Sequence, residues 1–142
     1  MDVRELDGSV AAAPQITVEE VAQARARGFR SIVNNRPDAE EPGQPSGAEI
    51  EAAAHAAGLS YAHVPLGREP ISAAHIEAMH AALEAAERPA LLYCRSGTRS
   101  TVLWALASAA NGADPAALTD MAAEAGYDLS PYAELMASLA SR

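Results

Sequence analysis

An α/β domain with a mostly parallel central sheet flanked by helices is the fold this sequence predicts, and three observations carry that expectation. Helix-like and strand-like segments alternate along the 142 residues. The strand-like runs are short and apolar, as strands buried on both faces are. Capping residues open the helices, and Gly28 and Gly58 close two of them, so the alternation is marked by local chemistry as well as by hydropathy. With 49% hydrophobic residues the chain supports one core, read as a single domain over residues 1–142.

The elements follow in order. Thr17-Val18-Glu19-Glu20 is a capping box that opens a helix running to about Arg27. A strand from Phe29 to Val33 comes next. The stretch from Asn34 to Pro45 is too rich in proline and glycine for regular structure, and long irregular loops in compact domains often carry function. Ser46 to Glu49 reads as a second capping box, followed by a helix to Gly58 and a strand from Ser60 to Val64. After the loop Pro65-Leu66-Gly67-Arg68-Glu69-Pro70, a third helix is capped near Ser72 and runs to about Glu87. Pro89 to Tyr93 is an apolar strand, and Ser100 to Ala110 an apolar helix. Asp114-Pro115 and Ser130-Pro131 each place a cap before proline, so two further helices are expected over 114–140. Strands of a parallel sheet present their ligands at their carboxyl ends, which groups the loops after Val33, Val64 and Tyr93.

The segment Tyr93-Cys94-Arg95-Ser96-Gly97-Thr98-Arg99-Ser100 holds the only cysteine, between two arginines and beside a glycine. A strand-turn-helix junction turns free N–H groups into one concavity, where the helix dipole adds partial positive charge. Cys94 is therefore expected to act as a thiolate nucleophile. Arg99 offers a planar fork for an oxyanion, and Arg95 adds positive field at the rim. Gly97 permits close backbone approach. Ser96, Thr98 and Ser100 supply hydroxyl donors, with Ser100 equally suited to capping the helix. Arg36 either helps hold the substrate anion or pairs with Asp38 and Glu40 to brace its loop, and the bracing role is the preferred one. A buried structural cysteine is the competing reading of Cys94, and the flanking cations and glycine argue against it.

Composition narrows the rest. The net charge is −9, and all ten basic residues are arginine, so an acidic body surrounds a local cationic pocket and nucleic acid is not an expected partner. One cysteine forms no internal disulfide. No signal peptide is evident at Met1-Asp2-Val3-Arg4-Glu5-Leu6, and no run is long enough to span a membrane, so a cytoplasmic setting is expected. His55, His63, His75 and His80 lack zinc-ligand spacing, so no metal and no cofactor is expected. Trp104 reads as core.

Taken together, Gln15-Ile16-Thr17, Ile32 to Asp38, Ala57-Gly58-Leu59, His63-Val64-Pro65 and Tyr93 to Ser100 resemble the bacterial phosphatase-like domain of beta-lactamase hydrolase-like proteins (the DUF442 family), over about Ile16 to Ala110. The resemblance implies a dual-specificity, tyrosine-phosphatase-like fold, with Cys94 as nucleophile and Arg99 as anion clamp. It also implies association with sulfide-oxidising enzymes, since some members are joined to them.

Two activities are attached to that family, and the residues divide between them. Phosphatases of this fold have five residues between cysteine and arginine, whereas four separate Cys94 from Arg99, as in rhodanese-type loops. The loop that carries the phosphatase general acid has no aspartate here, which leaves Glu69 as the candidate acid, and Tyr93 replaces the usual histidine. The expectation drawn from these departures is a sulfurtransferase that takes sulfur from a small anionic donor such as thiosulfate or glutathione persulfide. Cys94 would hold it as a persulfide and pass it to a thiol acceptor. The alternatives are a phosphatase acting on a phosphorylated substrate through phosphocysteine, and a non-catalytic anion or persulfide sensor.

Overall fold

A computed structural model describes residues 1–142. Its sheet comprises β1 (Arg4–Asp7), β2 (Val10–Ala13), β3 (Ser31–Asn34), β4 (Ser60–His63) and β5 (Ala90–Tyr93). The spatial order is β1-β2-β5-β3-β4. Four strands run parallel, and β1 pairs antiparallel with β2. The β1–β2 hairpin is absent from the sequence-based expectation. Val10-Ala11-Ala12-Ala13 has little intrinsic strand preference. Its partner β5, paired from Val10–Ala90 to Ala13–Tyr93, gives it a strand conformation.

Alternate residues of each strand face opposite sides, and each side is covered. Ile32, Leu91 and Tyr93 pack against Val21 and Ala24 of α1 (Val18–Ala26) and Ile50 and Ala54 of α2 (Gly47–Ala56). Val33, Ala90 and Leu92 pack toward α3 (Ala73–Ala85), α4 (Thr98–Ala110), α5 (Pro115–Glu124) and α6 (Ala133–Ala140). Val102 to Ala107 of α4 are buried without a break, as befits a helix that is apolar on all sides and enclosed by neighbours. Trp104 belongs to that core, as expected. No helix is long and apolar enough to cross a membrane.

Helix ends follow the sequence signals with three departures. The Thr17 box is complete: Oγ1 accepts the Glu20 N–H at 3.1 Å, and the Glu20 carboxylate accepts the Thr17 N–H at 2.9 Å. At α2 only half a box forms, because Glu49 takes the Ser46 hydroxyl at 3.2 Å in place of the backbone donor. α4 starts two residues early, at Thr98, with Gly97 as its N-cap, so Ser100 is not the cap. Ser130-Pro131 opens a single 3-10 turn, Ser130–Tyr132, because Asp128 takes the Ser130 N–H at 2.9 Å, and α6 begins at Ala133.

Hydrogen bonding continues past the strand ends and fixes the loops there. Asn35 N–H donates to the Tyr93 carbonyl at 2.8 Å and Leu66 N–H to the Asn35 carbonyl at 3.0 Å. The loops after β3, β4 and β5 are thereby stitched together at one end of the sheet.

Candidate active site

The 94–99 loop leaves β5 at Tyr93 and enters α4 at Thr98, and its groups are sorted by direction. The outward carbonyls all have donors. Arg95 O accepts the Gln15 N–H at 3.2 Å, Ser96 O accepts the Tyr127 hydroxyl at 3.3 Å, and Gly97 O accepts the Thr101 N–H at 3.0 Å and its hydroxyl at 2.8 Å. The Thr98 N–H is taken by Ser96 Oγ at 3.4 Å, and the other N–H groups of the loop have no backbone acceptor. Among these, Gly97 N–H donates to Cys94 Sγ at 3.1 Å, and those of Arg95, Ser96, Arg99 and Ser100 are unmatched. Such a ring of unmatched donors at a helix start is an anion cradle. Cys94 lies fully buried at its floor. Gly97 has φ +94°, and a Cβ there would strike the Tyr127 hydroxyl, so the position excludes a side chain on two grounds.

Arg99 is anchored before any ligand arrives. Nη1 and Nη2 donate to the two oxygens of Glu40 at 2.8 and 2.9 Å, and Nη1 also donates to the Leu66 carbonyl at 2.7 Å. These bonds take the outer end of the guanidinium and leave Nε–H and one Nη2–H unmatched. The Glu40 bond raises the Arg99 pKa against the cost of burial, and the adjacent Cys94 sulfur acts in the same direction. Arg99 therefore stands beside the thiol with donors to spare. The Leu66 contact brings the 65–70 loop to the cradle.

Arg36 is bonded through all three of its guanidinium nitrogens to neighbouring side chains. It is fully buried, with Nε on Glu40 at 2.7 Å, Nη2 on Glu41 at 2.9 Å and Nη1 on Gln15 at 3.0 Å. Asp38, an expected partner, instead accepts the Gly47 N–H at 2.7 Å at the start of α2. Glu40 is the shared hinge: hydrogen bonds from Arg99, and then from Arg36, outweigh its desolvation and hold its pKa at about 2. Ala39, immediately before it, has φ +59°, the one positive φ outside glycine. That backbone is unusual for a residue with a Cβ, and it aims Glu40 at Arg99.

The remaining expected residues separate. Arg95 is exposed at the rim, 3.7 Å from Glu41. The Ser96 hydroxyl turns to Thr98, 3.1 Å from its Oγ1, and does not face Cys94. Ser100 is the third residue of α4, fully buried, with its Oγ unpartnered. Glu69, the candidate general acid, is turned into its own loop: Oε1 accepts the Gly67 N–H at 2.6 Å and lies 3.5 Å from His75 Nε2. The backbone bond from Gly67 lowers its pKa, the direction that disfavours an acid. Over the cradle opens a recess of about 420 Å³ lined by Pro37, Asp38, Ala39, Glu40, Gly67, Arg68, Arg95 and Arg99. Glu69 does not line it. The sequence reading paired Glu40 with Arg36 but missed it as the partner of Arg99, missed Glu41 as a partner of Arg36 and Arg95, and missed Tyr127 altogether. An acidic pair inside an irregular loop was a usable signal, whereas nothing local marks Tyr127.

Known proteins bear on this geometry. A model of the phosphatase-like domain of beta-lactamase hydrolase-like proteins matches residues 2–111. The match begins well before Ile16, because the β1–β2 hairpin is part of the domain. A beta-lactamase hydrolase-like protein of Xylella fastidiosa is 38% identical over 112 residues, 79% of this chain and 26% of that protein. The chain thus spans about a quarter of the length of this curated relative. A candidate phosphatase of Neisseria meningitidis superposes with a TM-score of 0.84 at 32% identity, covering 98% of this chain and 99% of its own. Tk-PTP in its active form superposes with a TM-score of 0.71 at 20% identity, covering 99% and 97%, which is likeness of fold. These relatives support the phosphatase alternative over sulfur transfer. Matched over residues 2–111 and sharing that fold, the chain belongs to the family of phosphatase-like domains of beta-lactamase hydrolase-like proteins.

Proposed function

We propose that the chain is a cysteine-dependent phosphatase. The observation that carries this reading is the Gly97 N–H donated to Cys94 Sγ at 3.1 Å on a loop whose Arg99, anchored by Glu40, keeps donors unmatched, within a phosphatase-like fold. Cys94 attacks a phosphoryl group held by the loop N–H groups and Arg99, giving a phosphocysteine that water hydrolyses. The N–H donors are fixed in place beforehand by their capped carbonyls, so the charge that develops on the phosphoryl oxygens needs no reorganisation of the loop. Its substrate is a phosphorylated molecule small enough at the reacting end to enter the recess.

The test is intact-mass analysis of the reduced protein, quenched during turnover of p-nitrophenyl phosphate. The expected result is a Cys94-dependent gain of one phosphoryl group, with turnover lost in Cys94→Ser; turnover that survives in Cys94→Ser overturns the reading.

A second reading, sulfur transfer, rests on the four-residue spacing from Cys94 to Arg99, which makes a tighter cradle than phosphatases of this fold have. It predicts a gain of one sulfur on Cys94 from glutathione persulfide or thiosulfate, reversed by reductant, with a sulfide-oxidising enzyme as the natural source of the donor.

A further inference from the structure

Asp38 and Glu40 line the recess and Glu41 and Glu69 lie in the loops around it, and each of these carboxylates is engaged by a donor. Glu40 receives Arg99 on both oxygens and Arg36 on one. Glu41 receives Arg36 at 2.9 Å on Oε1, with Arg95 3.7 Å from Oε2. Asp38 receives the Gly47 N–H at the positive end of α2. Glu69 receives the Gly67 N–H and faces His75 rather than the recess. The pKa values of Glu40, Glu41 and Glu69 are all lowered, chiefly by these bonds. The other titratable groups nearby are also engaged: a His63 ring nitrogen lies 2.9 Å from the Arg36 carbonyl, and the Tyr127 hydroxyl donates to Ser96 O. The carboxylates at the recess thus already serve as acceptors within the fold, and none is seen to stand unengaged beside the place of a departing oxygen.

We propose, building on the phosphatase reading, that the natural substrate carries its phosphoryl group on a leaving group that departs as a stable anion, a phosphoric or mixed carboxylic–phosphoric anhydride, in preference to a phosphate ester of an alcohol. The Cys94 thiolate forms the S–P bond as the bond from phosphorus to the leaving oxygen breaks. That oxygen keeps the electron pair and leaves unprotonated. Water then attacks the phosphocysteine, the P–S bond breaks with its electrons returning to sulfur as thiolate, and inorganic phosphate departs with the protons of the water. An alkoxide cannot leave this way at a useful rate without a proton donor, a contribution of roughly 10²–10⁴-fold when an acid is present. A phosphate or carboxylate can. Arg68 and Arg95, which line the same recess, meet the charge that builds on the departing group, a task that an acid would otherwise perform by protonation.

The experiment measures kcat/KM for aryl phosphates whose phenols span pKa values from about 7 to about 10, alongside acetyl phosphate, inorganic pyrophosphate and glycerol phosphate. The expected result is a fall of about 100-fold or more across the aryl series, measurable hydrolysis of at least one anhydride, and negligible hydrolysis of glycerol phosphate. Comparison of acetyl phosphate with pyrophosphate tells which kind of anhydride is preferred. A flat aryl series, or glycerol phosphate turned over as well as the anhydrides, overturns the inference while leaving the phosphatase reading intact. Absence of phosphocysteine and of hydrolysis even with the most activated ester sinks the phosphatase reading itself. A further check is Glu69→Gln, which leaves the slope of the aryl series unchanged; a steeper slope would make Glu69 the acid and overturn the inference.

Discussion

Arg99 has five N–H donors, and Glu40 with the Leu66 carbonyl engages three of them, so its orientation is set by the protein and two donors remain unmatched. Replacing Glu40 by glutamine keeps the side-chain shape but loses one charged acceptor for each of two arginines. Misplacement of a positioned group by about 1 Å costs on the order of 10²-fold in rate. Glu40→Gln is therefore expected to lower kcat/KM on p-nitrophenyl phosphate by about 10- to 100-fold and to weaken inorganic phosphate binding, as calorimetry would read. If phosphate instead binds more tightly to Glu40→Gln, the carboxylate is a plug and not an anchor. Tyr127 acts on the other side of the loop. Tyr127→Phe removes one hydrogen bond, worth about 1 kcal/mol, and is expected to reduce kcat/KM several-fold with the far-UV circular dichroism unchanged. Gly97→Ala meets both an unfavourable φ and the Tyr127 hydroxyl, and a protein that keeps full phosphate affinity with alanine there would contradict this account.

The 94–99 loop shows how an element gains a function that its separate residues lack. Gly97 ends the loop and opens α4, Thr101 returns two bonds to the Gly97 carbonyl, and Gln15 holds the Arg95 carbonyl, so the peptide planes are fixed with the Gly97 N–H on Cys94 Sγ. The 36–41 segment is its counterpart, held by Arg36 and by the Gln44 side chain on the Pro37 carbonyl at 2.9 Å. The pH dependence of stability follows from the Glu40 carboxylate. Its folded pKa of about 2 lies below the ordinary 4.5, so the contribution is fully present above the ordinary value and is lost as pH falls toward 2. The difference in melting temperature between the wild type and Glu40→Gln is accordingly expected to narrow over that interval. A difference that stays constant down to pH 2 would mean that the carboxylate is not charge-paired in solution.

At the scale of the whole molecule, the sheet end and the helices behind it serve one another. Residues beyond the matched 2–111 supply α5, α6 and Tyr127, which close the core around α4 and cap the Ser96 carbonyl. Leu103, fully buried on α4, is expected to cost about 2–5 kcal/mol on replacement by alanine, measured by urea unfolding. A loss well under 1 kcal/mol would mean that α4 is not the packed centre. The alternation of elements, the caps at Thr17 and Asp114, the apolar strands and the Cys94–Arg99 loop were all legible in the sequence, because each depends on residues a few positions apart. The β1–β2 hairpin was not legible, since the alanines of β2 become a strand only through pairing with β5. Nor were the Glu40–Arg99 link, the turned-away Glu69 and the Tyr127 contact, the first of which joins residues 59 positions apart. The sequence by itself determined the class of fold and placed Cys94 and Arg99 on one strand–turn–helix loop, since local spacing governs those. Only the tertiary structure decided which charges neutralise one another and which are left to meet a ligand, because ion pairing depends on distance in space and not along the chain.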